Sequence, residues 1–268
     1  MFNKKNVIRL FESEHNKNVK WSSSNECVMF KGIDGKWCRM RGFVELIRGA
    51  FYPGYDYARA NIRTTGTAPG CVPPEAFGKS EFDFTLVRKI PKSRHAGRDI
   101  GARVDAEFTD VVNRKGEIGD ESKLEPYTRS MIEARKVWKW TSLMCQFPIA
   151  IPEARCGTKI DEIAIDDQQR LIVIENKCGF ATYLDLSCRN MNGPLSDVSD
   201  APINQHYLQA GLAAIVLEKR WGVAVQKVYV TQVTQTGVVP HAAPQWFWER
   251  KEAIYAHFVA YCSSGAVK

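Results

Sequence analysis

Four consecutive apolar residues, Leu171–Ile174, are followed directly by a segment that contains Glu175 and Lys177. A short run that is apolar on both faces predicts a central strand, in a sheet whose two faces are both covered. Charged side chains at the end of such a strand are costly unless a metal, a substrate or another charge compensates them. The segment therefore predicts a buried sheet, and it marks a candidate active site.

This strand belongs to a predicted hairpin, whose first strand is Lys159–Ile165 and whose turn is the polar segment Asp166–Arg170. Glu175 and Lys177 are two residues apart and share a face. Facing residues of an antiparallel pair have a constant sum of residue numbers. A sum of 336, which a three- or five-residue loop gives, places Asp161 opposite Glu175 on one face. An even-length loop places Asp161 on the other face, unless a bulge restores it.

The elements around the hairpin give the order helix, strand, strand, strand, helix, strand, helix. This order predicts an α/β fold with a mixed central sheet and a crossover helix. We expect Asp200 to cap the crossover helix, with Pro202 in its first turn. The predicted helices are 100–112, 126–146, 200–220 and 246–261, and the remaining predicted strands are 147–151 and 223–234.

The N-terminal third has weaker signals. Two short strands, at Val28–Phe30 and Trp37–Arg41, are predicted on either side of a glycine-rich turn. We therefore expect an N-terminal extension of uncertain fold over residues 1–94, followed by an α/β core with a C-terminal helix over 95–268.

The composition excludes some classes of protein. No apolar run approaches the roughly 20 residues that a membrane span needs, and the N-terminus lacks the apolar core of a signal peptide. The eight cysteines are scattered without a C-x-x-C pair, which favours reduced thiols over a zinc or iron–sulfur site. We expect an intracellular protein, cytoplasmic or nuclear.

The charge permits a polyanionic partner. The formal net charge is +7, and a basic cluster lies between residues 88 and 103, a segment that contains a single acid, Asp99. Such a cluster suits contacts to phosphates, although it is equally compatible with a solvated linker. The residues expected to bind nucleic acid are Arg88, Lys89, Lys92, Arg94, Arg98 and Arg103, with Arg135 and Lys136 on the 126–146 helix.

In the favourable register, the carboxylates of Asp161 and Glu175 and the backbone carbonyl of Asn176 meet at the ends of two strands. Hard oxygen ligands of this kind suit Mg²⁺ or Mn²⁺. Lys177 is then placed to orient a water or to stabilise negative charge in the transition state. This apparatus suits hydrolysis of phosphodiester bonds.

Asp161, thirteen intervening residues and Glu175-x-Lys177 in a strand–turn–strand frame resemble the PD-(D/E)xK nuclease superfamily. The helix–β–β–β–helix–β order is similar to the restriction-endonuclease-like core of that superfamily, over roughly residues 95–240. The resemblance implies that Asp161 and Glu175 bind the metal and that Lys177 is the catalytic lysine.

Two further patterns are similar to RecB-like and viral exonuclease members. Gln205 matches the first residue of their Q-x-x-x-Y motif, although the fifth position here is Gln209. Gly101-x-x-x-Asp105 resembles their G-x-x-x-H helix, with Asp in place of His. The resemblance therefore implies a catalytic role for Gln205. Glu133, on the helix directly before the core, is a competing candidate for the upstream acid. The choice between Asp105 and Glu133 stays open.

The sequence thus predicts a metal-dependent nuclease whose substrate is DNA rather than RNA. A nucleic-acid-binding or scaffold protein of the same fold that cuts nothing is one alternative. An RNA endonuclease is the other.

Overall fold

The computed structural model describes residues 6, 8–11, 17–52, 94–114, 121–178 and 189–264. The strands are β1 (Val19–Ser22), β2 (Cys27–Lys31), β3 (Trp37–Arg39), β4 (Arg41–Gly42), β5 (Thr141–Ile151), β6 (Cys156–Ile165), β7 (Leu171–Cys178), β8 (Lys227–Val233) and β9 (Val238–Ala242). The helices are α1 (Phe43–Phe51), α2 (Arg94–Asn113), α3 (Pro126–Trp138), α4 (Pro202–Trp221) and α5 (Gln245–Ser263).

The central sheet is mixed. Its hydrogen-bonded order is β4-β6-β7-β8-β9, and β5 pairs with β6 as well. β5, β6 and β7 form an antiparallel meander, whereas β7 and β8 are parallel and are joined through α4. Parallel neighbours require a crossover of this kind. The predicted α/β architecture with a mixed sheet is confirmed.

Helices cover both faces of this sheet because side chains alternate along each strand. Ile163, Leu171 and Val173 pack into the main core with apolar residues of α1, α4 and α5. Val233 packs on the other side with residues of α2 and α3. Leu171–Ile174 are all fully buried, as their apolar run predicts for a central strand.

The hairpin has the register that aligns the candidate residues. Glu162 faces Ile174, and Ile165 faces Leu171, so the residue numbers sum to 336. The five-residue loop is held by Asp166, whose carboxylate accepts hydrogen bonds from the backbone N–H of Gln168 at 3.0 Å and of Arg170 at 2.9 Å. The predicted register is confirmed.

Several details of the predicted elements are wrong. The helix that starts at Pro126 ends at Trp138 rather than residue 146, because Lys139 has a left-handed backbone (φ 56°) and Thr141 begins β5. Asp200 does not cap α4, whose N-cap is Ala201; the Asp200 carboxylate lies 3.3 Å from Arg189. β9, between the last predicted strand and the last predicted helix, is absent from the prediction.

The small antiparallel sheet β1-β2-β3 lies beside the central sheet. Val19, Val28 and Met40 pack with Ala150 of β5 in one apolar cluster. β4 pairs with β6, so part of the predicted extension belongs to the central sheet, while the division at residue 94 stays a prediction. Among the described residues, no helix has the length and apolar character needed to cross a membrane.

Candidate active site

The candidate site lies where the pairing of β6 with its neighbours on one edge is interrupted. Cys156 and Gly157 pair with β4, and pairing with β7 begins at Glu162. Asp161 lies between these two paired stretches. Its Oδ2 accepts a hydrogen bond from the backbone N–H of Asn176 at 2.9 Å. The end of β7 therefore holds the Asp161 carboxylate through a main-chain donor.

Glu175 and Lys177 extend from the same face of β7. Glu175 is buried, and Lys177 Nζ donates a hydrogen bond to its Oε1. Burial, and then the negative charge of Asp161, raise the pKa of Glu175 to about 8, although Lys177 opposes the rise. Burial also raises the pKa of Asp161, against the opposing effects of Lys177 and the Asn176 N–H. The two carboxylates thus lie close enough to repel one another.

Asp105 on α2 belongs to the same electrostatic cluster. Burial and the charge of Asp161 raise the pKa of Asp105 to about 7, and Lys177 lowers it. Glu133 on α3 is exposed instead, and its carboxylate pairs with Lys136 at 2.7 Å. The structure therefore places Asp105, and not Glu133, with the hairpin acids.

Gln146 of β5 is a site residue that the sequence did not reveal. Its side-chain amide lies 3.4 Å from Asp161 Oδ1, and its backbone has a φ of 50°. Gln146 and Asp161 both line a cleft of about 500 Å³ between the central sheet and the β1-β3 sheet. The sequence placed Gln146 at the end of a helix, so no pattern pointed to this contact.

Gln205 is buried, and its Oε1 accepts a hydrogen bond from Arg48 Nε at 3.2 Å. Gln209, one turn later on α4, lines the cleft together with Asp161. His206 is near the site as well, since burial, and then the charges of Lys177 and Arg48, hold its pKa well below 6.5. The position of His206 near the site could not be predicted, because its spacing from other residues matches no ligand pattern.

A buried polar network supports the site from the opposite face of the sheet. Glu162 is fully buried and accepts hydrogen bonds from Arg135 Nε at 3.0 Å and from Arg135 Nη2 at 2.6 Å. Asn176 Oδ1 accepts from Arg135 at 3.0 Å and from Thr231 at 2.6 Å. Ser142 donates to Glu162 at 2.6 Å. The prediction that Arg135 binds nucleic acid is wrong, because its guanidinium is 5% exposed and neutralises Glu162.

Two of the other predicted nucleic-acid-binding side chains, those of Arg103 and Lys136, lie within the described part of the chain. Arg103 is exposed and lies 3.2 Å from Glu125, and Lys136 pairs with Glu133. The predicted contacts at Arg88, Lys89 and Lys92, and the side chains of Arg94 and Arg98, lie outside the described residues.

The donor chemistry at the interruption fits a hard divalent cation. Asp161 and Glu175 supply carboxylate oxygens, and the Asn176 carbonyl points to the same edge as its N–H, toward Asp161. The repulsion between the carboxylates of Asp161 and Glu175 is the charge imbalance that a cation would relieve. Within the part of the chain described, no three or more His, Cys, Asp or Glu side chains are grouped so as to hold a metal. The donor set is therefore two carboxylates and a carbonyl, with Asp105 nearby.

Comparison with known proteins finds no protein-family model that matches the chain. Comparison with curated proteins finds no match either.

Proposed function

We propose that this protein is a metal-dependent nuclease of the PD-(D/E)xK superfamily that hydrolyses phosphodiester bonds of DNA. The observation that carries the proposal is that three acids and one lysine from three elements, α2, β6 and β7, act on one another's charges. The charge of Asp161 raises the pKa of both Asp105 and Glu175, the charge of Asp105 raises that of Glu175, and Lys177 lowers the pKa of all three. Mutually repelling carboxylates with perturbed pKa values are characteristic of functional sites.

The order of the elements supports the same proposal. α3, β5, β6, β7, α4 and β8 follow one another as helix, three strands, helix and strand. The three strands form an antiparallel meander, and the last strand joins in parallel. This order is the one implied by the resemblance to a restriction-endonuclease-like core.

In the proposed reaction, Asp161 and Glu175 would hold Mg²⁺ or Mn²⁺ together with the Asn176 carbonyl. A bound ion would supply Lewis acidity and neutralise negative charge on the reacting phosphate. Lys177 then turns from Glu175 to orient the attacking water or to stabilise charge in the transition state. The Asn176 N–H and Gln146 keep the Asp161 carboxylate in place.

Purified protein should degrade DNA when Mg²⁺ or Mn²⁺ is added and should stop when the metal is chelated. Lys177→Ala should lower the cleavage rate by roughly 10²- to 10³-fold, the usual effect of removing one group that stabilises transition-state charge. DNA binding should remain, because the half-buried Lys177 pairs with Glu175 and contributes little of the surface that would contact DNA. Arg114→Ala, which removes an exposed cation paired with Asp110, is the matched control.

Cleavage that needs no metal, or unchanged cleavage in Lys177→Ala, would contradict the proposal. Binding of DNA without cleavage under any metal would favour the alternative of a non-cleaving binding protein. Parallel digestion of DNA and RNA of one sequence separates a DNase from an RNA endonuclease.

A further inference from the structure

The small sheet β1-β3 has one strongly basic face that the proposed chemistry does not use. We infer that this face and the adjoining cleft bind a single strand of nucleic acid and guide it to Asp161. The inference rests on the proposed nuclease function, and it specifies the form of substrate that the site accepts.

The outer face of the sheet is defined by its register. Lys20 faces Met29, Met29 faces Arg39, and Lys31 faces Trp37, so these side chains lie on one side of the sheet. The other side packs on Ala150 through Val19 and Val28. Lys20, Lys31 and Arg39 are exposed.

The charge of this region is complementary to phosphate. Residues 17–42 contain six lysines and arginines but two acids, Glu26 and Asp34. Among the described residues, Lys20, Lys31 and Arg39 form no salt bridge, whereas Arg103 and Lys136 are both paired with glutamates. Unpaired exposed cations bind phosphates without first giving up a carboxylate partner.

Aromatic rings lie beside these cations. Lys20 Nζ is 4.1 Å from the centroid of the Trp37 ring, and Lys159 Nζ is 4.3 Å from that of Trp21. Proteins that hold single strands combine a basic track with aromatic rings on which bases stack. Trp37 provides such a ring on the outer face, and Trp21 provides one at the cleft.

The cleft connects this face to the catalytic carboxylate. Arg39, which belongs to the outer face, lines it together with Trp21, Lys159 and Asp161. Its volume of about 500 Å³ lies within the roughly 300–1,000 Å³ of a small-molecule pocket. A cleft of this size takes one unstacked nucleotide rather than a stacked, base-paired segment. Glu26 and Glu45 also line the cleft and are offset by Arg41 and Lys159, so the attraction for phosphates comes from the outer face.

The test measures binding of a fluorescent single-stranded DNA to the full chain by anisotropy, with metal chelated so that no cleavage occurs. Trp37→Ala should weaken binding roughly 5- to 150-fold, the effect of losing one stacked base. The double variant Lys20→Ala/Arg39→Ala should reduce the slope of log K against log salt by about 1.4, since each single-strand phosphate contact contributes ~0.7. Trp37→Phe should retain most of the affinity, and Arg114→Ala should retain all of it.

Circular dichroism and thermal unfolding establish that each variant is folded. Retained affinity in Trp37→Phe would show that binding requires an aromatic ring at this position and not the particular packing of the Trp37 side chain. If Trp37→Ala and Lys20→Ala/Arg39→Ala bind as tightly as the parent, or if a blunt duplex binds better than the single strand, the inference is overturned. The nuclease function survives either result, provided that metal-dependent cleavage persists. A parent protein that neither binds nor cuts any nucleic acid overturns both.

Discussion

Gln146 of β5 lies directly opposite Asp161 of β6, and its side-chain amide contacts Asp161 Oδ1 at 3.4 Å. The register on either side fixes this relationship, since Cys145 faces Glu162 and Phe147 faces Ile160. Gln146 has a φ of 50°, which a side-chain-bearing residue adopts at a cost. A strained residue in contact with a candidate catalytic acid indicates that the strain is retained for the contact.

Replacing Gln146 with Gly or Ala should separate strain from function. Both substitutions remove the contact to Asp161, but only Gly accepts a positive φ without strain. We expect Gln146→Gly to have a free energy of unfolding about 1 kcal/mol above that of Gln146→Ala. Both variants should cut DNA more slowly than the wild type. Urea denaturation and cleavage rates measure the two effects, and equal stability of the two variants would refute the strain.

The hairpin could be predicted because its determinants are local. Leu171–Ile174 is apolar on both faces, and the polar Asp166–Arg170 segment sets the loop length, so register follows from a short stretch of chain. The position of Gln146 could not be predicted in this way. The apolar spacing of α3 continues past Trp138, and the left-handed Lys139 that ends the helix is neither Gly nor Pro.

The burial of Arg135 could not be predicted for a related reason. A basic residue on an otherwise amphipathic helix is normally solvated, and the sequence of α3 gives no sign that Glu162 lies beneath it. The pairing depends on how α3 packs over β6, which is a tertiary relationship. Asp105 could likewise be named from a motif but not chosen over Glu133, since the choice depends on which helix approaches Asp161.

The Arg135–Glu162 pair should be important for stability. Arg135→Met leaves the Glu162 carboxylate buried without its partner, and we expect a loss of about 3–5 kcal/mol in the free energy of unfolding. Lys136→Met is the matched control on the same helix, and its exposed pair with Glu133 should be worth less than about 1 kcal/mol. The double variant Arg135→Met/Glu162→Leu should be more stable than Arg135→Met. Chemical denaturation measures all three, and a loss in Arg135→Met no larger than in the control would contradict the role of the pair.

The upstream acid can be assigned by paired substitutions. Asp105→Asn should reduce metal-dependent cleavage by about 10- to 100-fold and raise the Mn²⁺ concentration needed for half-maximal rate, because it removes a negative charge beside Asp161. Glu133→Gln should change neither quantity, since Glu133 is exposed and paired with Lys136. The reverse pattern would assign the role to Glu133.

Two helical glycines offer a test of the packing of α4 against α5. A Cβ on Gly211 would lie 2.2 Å from the Phe247 ring, whereas a Cβ on Gly101 would meet nothing within 4 Å. Gly211→Ala should therefore destabilise the fold by about 1–3 kcal/mol through overpacking. Gly101→Ala should stabilise it by about 0.5–1 kcal/mol, because alanine is the better helix former. Thermal unfolding compares them, and a stabilised Gly211→Ala would contradict the close approach of the helices.

The raised pKa of Glu175 predicts how stability depends on pH when no metal is present. Its pKa is about 8 in the folded chain against an ordinary 4.5. The folded state therefore binds the proton more tightly, and the associated stability is fully present below pH 4.5 and is lost as the pH rises through about 8. Glu175→Gln cannot ionise, so its Tm should rise relative to that of the wild type between about pH 5 and about pH 9.

Metal should oppose this loss, because a divalent cation favours the ionised carboxylate. Added Mn²⁺ should raise the Tm of the wild type more at about pH 8 than at about pH 5, and it should raise the Tm of Glu175→Gln less at either pH. Differential scanning fluorimetry in chelator and in Mn²⁺ measures both effects. Parallel curves of Tm against pH for the wild type and Glu175→Gln would show that Glu175 does not carry a raised pKa. The repulsion among the three acids would then no longer support a metal site.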